Sequence, residues 1–500
     1  MKNQVQLITY TDRLSSGGLR ALHSLLRAQL DGLFGGVHLL PFYHAIDGAD
    51  AGFDPIDHTL VDPRLGDWTD VKALSADVPV MADLIVNHMS ADSPQFLDWS
   101  AHGRASAYDG LFLTMASVFP AGATEEQLLK IYRPRPGLPF TYTTLKTGEK
   151  KILWTTFTAK QIDIDVSSPA GAAYLTSILD TFQRSGITMI RLDAAGYAIK
   201  RAGTSCFMIP ETYAFISELT KQAHARGIEV LVEIHSYHRD QIAIAQRVDR
   251  VYDFALPPLV LHALFNRTSR GLKAWLAISP RNCLTVLDTH DGIGIVDVGA
   301  DPTDRTGRPG LIPPAELDAL VDQIHARSGG QSRQATGAAA NNLDLYQVNC
   351  TYYDALGRDD RAYLTARALQ FFAPGVPQVY YTGLLAGEND MELLARSKVG
   401  RDINRHYYTP AEVDAALTRP VVRALCDLIR FRNTHPAFAG EFSVGDTPET
   451  QLRLTWRAAA QHATLDVDFA AGTATITATR ADGSLETRDL HAALGATKAA

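Results

Sequence analysis

Cysteine is scarce in this chain of 500 residues, and long apolar runs are missing. Cys206, Cys283, Cys350 and Cys426 are the only four, widely spaced and without a CxxC pair or histidine-rich company. That pattern argues against a disulfide framework or a thiolate zinc site and fits reduced thiols in an intracellular protein. No uninterrupted apolar stretch reaches the roughly 18 residues that mark a membrane span. Even Phe254 to Phe265 is broken by Pro257, Pro258 and His262. The opening Met1-Lys2-Asn3-Gln4 runs straight into strand-like Val5 to Tyr10, leaving no room for a signal-peptide core. Basic residues form no stripe. The 47 Lys and Arg stand against 55 Asp and Glu, a net charge of −8, so nucleic acid is not an expected partner. A glycine-rich phosphate cradle is also lacking, so no nucleotide cofactor is indicated. These absences describe a cytoplasmic protein without membrane contact.

Apolar material is ample. Hydrophobic residues make up 46% and charged residues 20%, enough for a large core. Short apolar or β-branched runs recur at Val5–Ile8, Val37–Leu40, Val80–Val86, Met189–Leu192, Val230–Ile234, Val251–Phe254, Leu284–Leu287 and Gln378–Tyr381. Amphipathic helices such as Leu19 to Leu30 and Tyr213 to His224 alternate with them. Eight strands alternating with helices predict an α/β fold, a (β/α)8 TIM barrel. Two intervals are too long for a simple βα unit, and the tail after Phe438 switches to period-two alternation separated by turns. The expected division is a barrel from 1–86, 169–292 and 358–437, an inserted domain at 87–168, a loop-rich insert at 293–357, and a C-terminal antiparallel β domain at 438–500.

Polar residues mark the carboxyl ends of these strands, the face where barrels carry chemistry. Asn87-His88 follow the third run, Arg191-Leu192-Asp193 end the fourth, Glu233-Ile234-His235 end the fifth, and Asp288-Thr289-His290-Asp291 end the seventh. A lone carboxylate after an apolar run is usually a helix cap. Several at the same end of different strands repel one another, and folds tolerate that mainly where it is used.

The segments Asp83-Leu84-Ile85-Val86-Asn87-His88, Ile190-Arg191-Leu192-Asp193-Ala194, Glu233-Ile234-His235 and Thr289-His290-Asp291 resemble the four short motifs of the α-amylase superfamily. The chain is similar to the sucrose phosphorylase branch over essentially its whole length, through stretches such as Gly48–Pro55, Tyr132–Phe140, Asn342–Gln347 and Gly400–Arg405. The resemblance implies a retaining mechanism acting on sucrose and inorganic phosphate, with glucose 1-phosphate and fructose as products. It further implies Asp193 as nucleophile, Glu233 as acid/base and Asp291 as transition-state stabiliser. Arg191, two residues before Asp193 and so on the same side of the strand, would keep the nucleophile ionised.

His88 and His290 suit hydroxyl recognition around the sugar. By resemblance Asp50 and Arg401 would clamp its far hydroxyls, Phe53 and Phe157 would form an apolar platform, and Tyr197 is a further candidate. For phosphate the sequence offers Arg135 in a Pro-stiffened loop, His235 and Tyr346. Leu343, Asp344 and Gln347 would border the fructosyl or acceptor subsite, on a loop expected to move between half-reactions. Asn87 sits where many amylases supply a calcium ligand. The branch is generally metal-free, and neither metal nor other cofactor is expected. Branch members are often homodimers, which makes that state an expectation here. The other readings are a phosphorylase of sucrose 6′-phosphate or glucosylglycerol, an α-glucosidase, or an inactive binding subunit; the last typically lacks a carboxylate that this chain retains.

Overall fold

The computed structural model describes residues 1–48, 50–301, 307–337 and 345–495. Eight parallel strands close into a barrel: β1 (Gln6–Thr9), β2 (Gly36–Leu39), β3 (Val80–Ile85), β4 (Met189–Asp193), β5 (Glu229–Val232), β6 (Arg250–Asp253), β7 (Cys283–Thr285) and β8 (Val376–Tyr380). Each lies beside its sequence neighbours, and β1 closes the ring by pairing Gln6 with Gln378. These are the eight runs expected from the sequence. They read as continuous apolar segments because both faces are covered. Leu7, Leu39, Leu84, Ile190, Leu192, Val230 and Val232 belong to the large core shared with the surrounding helices. A separate cluster of Met81, Met189, Leu231, Tyr252, Phe254, Leu284 and Val286 plugs the barrel interior.

Polar residues also enter that interior. The Tyr252 hydroxyl donates to Gln378 Oε1 at 2.8 Å, His38 Nε2 lies 3.0 Å from Asp83 Oδ2, and Arg191 donates to Asp83 Oδ1. Asp83 and Arg191 are paired across β3 and β4, and both are buried. Burial alone would push Asp83 up, but Arg191 and then His38 hold it down to about 2.

Between β3 and β4 the chain builds two short antiparallel pairs, Phe140–Thr144 with Lys150–Trp154 and His88–Ser90 with Gln161–Asp163. Lys200, after β4, ties this interval to the barrel. Its buried ammonium lies 2.8 Å from Asp163 Oδ2, donates to Asn87 Oδ1 at 2.8 Å, and also donates to the carbonyl of Tyr197. Residues 293–357, expected as loops, contain the helices Pro314–Arg327 and Gln331–Thr336. Pro313-Pro314 start the first, and Leu317, Leu320 and Ile324 bury one face of it. The tail forms a five-stranded antiparallel sheet in chain order, from Glu441–Val444 to Leu485–Asp489. Leu452, Leu454 and Trp456 alternate inward, and Trp456 Nε1 donates to the Phe372 carbonyl at 2.8 Å. All four cysteines are buried and unpaired. Among the described residues no helix is long and apolar enough to cross a membrane.

Two stability measurements follow from these buried charges. Replacing Lys200 by Met leaves Asp163 buried without its cation, and chemical unfolding should show a loss of about 3–5 kcal/mol. Asp83, depressed in the fold, stabilises above its ordinary value of 3.8 and loses that contribution as pH falls through about 2. Urea melts should therefore weaken steeply across that window, and Asp83→Asn should flatten the slope while lowering stability at neutral pH.

Candidate active site

Arg191 rises from β4 into the mouth of the barrel with its side chain 1% exposed. Besides Asp83 below, it reaches Asp193 Oδ1 at 3.2 Å and Glu233 Oε1 at 2.7 Å. One guanidinium thus serves three carboxylates from β3, β4 and the end of β5. Asp193 is the last residue of its strand, and Ala194 after it takes a left-handed φ of 54°. Only a sharp departure from the strand turns the chain away while leaving the Asp193 carboxylate at the rim. Burial pushes Asp193 up, and Glu233, Asp83 and Asp291 add to this against the pull of Arg191. Arg191, expected to keep this carboxyl ionised, does not outweigh its burial and the neighbouring carboxylates.

A second charge group closes the rear. Arg401 Nη1 lies 2.8 Å from Asp291 Oδ1 and 3.3 Å from Asp50 Oδ2, and Arg405 lies 3.5 Å from Asp50. Burial would raise both acids, but these cations hold Asp50 down, and Arg401, with His235 and Arg191 behind it, holds Asp291 well below the carboxylate range. His290 stacks on Phe53 with ring centres 4.6 Å apart, and Phe53 also carries Arg191 over its face at 5.3 Å. His88 bonds the Phe53 carbonyl at 2.8 Å and lies 3.1 Å from the Gln161 amide. Burial lowers both histidines, which favours neutral rings.

These groups share one cavity at the mouth of the barrel. Asp50, Phe53, His88, Arg135, Phe157, Asp193, Tyr197, Glu233, His235, His290, Asp291, Tyr346 and Arg401 all line it. Arg191 lies beneath as their support. Phe157 meets His88 and Tyr197 edge-on at 5.4 and 5.3 Å, so the aromatic wall is continuous. Arg135 is half-buried, lowered by burial and by Arg401, and makes no ion pair among the described residues. Gln347 sits behind Arg401, 3.5 Å from Nη2, with its own amide nitrogen buried and unbonded. Leu343 and Asp344 lie outside the described residues.

The sequence reading missed Pro134, Gln161, Ala194, Gly196, Phe207 and Ile234, which also line the cavity. Pro134, Ala194, Gly196 and Ile234 are sequence neighbours of chosen residues. Gln161 and Phe207 carried no local signal. Phe207 arrives from the loop before the helix Pro210–His224 and packs on Tyr197 at 4.7 Å.

Glu233, His235 and Asp291 offer ligand atoms within 4.8 Å of one another, the spacing of a metal site. Arg191 and Arg401 already stand 2.7 and 2.8 Å from the two carboxylates, which leaves a divalent cation facing fixed positive charge. At Asn87, the expected calcium-ligand position, the side-chain oxygen is taken by the Lys200 ammonium.

Comparison with known proteins gives the family of the chain. Residues 31–256 match the family described as "Alpha amylase, catalytic domain". The chain is 63% identical to a sucrose phosphorylase of Agrobacterium vitis, over 96% of this chain and 97% of that protein. It is 56% identical to a sucrose phosphorylase of Bifidobacterium adolescentis, over 93% and 92%. The crystal structure of sucrose 6F-phosphate phosphorylase from Thermoanaerobacter thermosaccharolyticum superposes with a TM-score of 0.89, covering 98% of each chain at 38% identity. Identity of this extent, on a barrel whose strand ends carry this carboxylate set, places the chain in the sucrose phosphorylase family of the α-amylase superfamily.

Proposed function

We propose that the chain transfers the glucosyl unit of sucrose to inorganic phosphate, giving α-D-glucose 1-phosphate and D-fructose. The observation that carries this reading is the single cation, Arg191, shared by Asp193 and Glu233 at the mouth of a cavity whose rear is closed by Asp50, Asp291 and Arg401. In this scheme Asp193 attacks the anomeric carbon while Glu233 gives its proton to the departing fructosyl oxygen. Arg191, 3.2 Å from Asp193 Oδ1, stabilises the charge on the attacking carboxylate. Asp291 stabilises the oxocarbenium-like transition state, and Phe53 supports the sugar's C–H face. Phosphate then enters beside Arg135, His235 and Tyr346 and attacks the anomeric carbon as the bond to Asp193 breaks, returning a proton to Glu233 and restoring the α configuration. Other acceptors in the same place would be glucosylated by the same step.

The division into barrel, inserted segments 87–168 and 293–357, and tail domain 438–500 belongs to this reading. So do a cytoplasmic location, supported by the buried unpaired cysteines, and a homodimeric state, supported by resemblance to the branch. The deciding assay incubates the enzyme with sucrose, with and without phosphate. Glucose 1-phosphate should form in step with fructose when phosphate is present, with free glucose minor. Sucrose 6′-phosphate or glucosylglycerol outperforming sucrose as donor would reassign the substrate.

Arg135→Ala should lower phosphorolysis more than hydrolysis, through loss of a charge-assisted contact worth about 1.5–3 kcal/mol. The two carboxyl roles separate with α-glucosyl fluoride, a donor needing little protonation. Asp193→Asn should be inert with every donor. Glu233→Gln should lose about 10²–10⁴-fold with sucrose yet still turn over the fluoride when azide or phosphate accepts the sugar. A β-configured product from the native enzyme would exclude double displacement.

A further inference from the structure

His235 is held more tightly than a surface recognition residue would be. Its Nδ1 lies 2.9 Å from Asp297 Oδ2, its ring stacks on Phe254 at 3.8 Å, and Tyr346 meets it edge-on at 5.6 Å. Asp297 is fully buried and is itself fixed, its Oδ1 accepting from the Ser236 backbone at 3.2 Å and the Gln241 amide at 3.1 Å. The chain makes room for this pair. A β-carbon on Gly294 would stand 2.1 Å from Asp297 Oδ2 and 3.2 Å from His235 Nδ1.

A carboxylate accepts only, so Nδ1 carries a hydrogen, and the state of Nε2 decides the ring's charge. Nε2 has no hydrogen-bond partner, the side chain is 3% exposed, and the ring lines the cavity. Nε2 lies 3.9 Å from both Glu233 Oε1 and Asp291 Oδ2. The titratable groups around the ring are thus Asp297, Glu233, Asp291 and Tyr346, with Asp253 facing Asp297; Arg191 and Arg401 stand beyond, paired to Glu233 and Asp291. Burial alone would lower His235, but Asp297, Glu233 and Asp291 outweigh it and raise the ring.

We infer that Asp297 is a positioning residue for the acceptor anion, holding His235 as an imidazolium whose Nε2–H donates into the cavity to a phosphate oxygen. The inference rests on reading the cavity as a phosphorolysis site. Phosphate there must approach the carboxylates Glu233 and Asp291, whose cations Arg191 and Arg401 are already engaged with them, and Arg135 is the further arginine lining the cavity. A second cation, created by a buried carboxylate too deep to touch the anion, completes the site.

The test is Asp297→Asn, which keeps an acceptor oxygen for Nδ1–H but removes the charge. KM for phosphate should rise about tenfold at neutral pH, the scale of losing charge assistance from one hydrogen bond. Sucrose hydrolysis without phosphate should fall less than phosphorolysis, since His235 touches neither catalytic carboxylate within hydrogen-bond distance. The ratio of variant to native KM, in which the titration of phosphate itself cancels, should peak near neutral pH. It should fall at acid pH, where both rings are protonated, and at alkaline pH, where neither is. In a His235→Gln background, Asp297→Asn should have no further effect on phosphate KM. A pH-independent ratio, or equal losses in hydrolysis and phosphorolysis, would overturn the assignment. Should Asp297→Asn not fold, carbon-13 labelling of the histidine rings in the native enzyme decides: the resonance absent from His235→Gln should titrate above the ordinary 6.5, and a ring already neutral at pH 6 would overturn the proposal. A native enzyme that releases free glucose whatever the phosphate concentration would overturn the functional reading, and this inference with it.

Discussion

The Arg191 guanidinium is the contact on which the mouth of the barrel depends. Three carboxylates from neighbouring strands stand around it, each of which would be intolerable alone in a closed interior. Without the cation, mutual repulsion would drive Asp83, Asp193 and Glu233 apart or neutralise them. With it, one fixed positive charge offsets part of the three negative ones, and the geometry is over-determined from both sides. The barrel delivers that geometry because residues spaced by two on parallel strands face the same way, so Asp83, Arg191 and Asp193 converge without any loop having to place them.

The rear of the cavity repeats the solution with different parts. Arg401 and Arg405 arrive from the chain beyond β8, far in sequence from Asp50 and Asp291, and neutralise them across the top of the barrel. A polar hexose needs many fixed donors and acceptors, and fixed charges in opposed pairs supply them without solvent having to reorganise. His88 and His290, lowered by burial, add neutral rings that can both donate and accept.

How much of this could be read from the sequence follows the range over which each feature is encoded. Asp193, Glu233 and Asp291 were legible because each follows an apolar run, and a strand end is a place one can locate by pattern. Arg401 and Asp50 were legible only through resemblance, since nothing local brings residues so far apart to 3.3 Å. Phe207 and Asp297 gave no signal at all: one reaches the cavity and the other buttresses it through loops whose paths are set by packing. Residues 293–357 read as loop because the interval as a whole is rich in Gly, Asp and Ala, although Leu317, Leu320 and Ile324 suffice to seat a helix within it. Gln347 meets Arg401 through its side-chain oxygen, a contact between residues far apart in sequence that no local pattern announces.

The ammonium of Lys200 has a consequence for how the segment between β3 and β4 stays attached to the barrel. A cation borrowed from solution binds by mass action, so any structure it secures weakens as its free concentration falls. Here the positive charge between Asp163, Asn87 and the Tyr197 carbonyl is carried on a side chain of the same polypeptide. Its local concentration is set by a tether and not by the medium. A chelator has nothing to remove at that joint, and the wall bearing Arg135 keeps its anchorage across whatever range of divalent ions the protein meets.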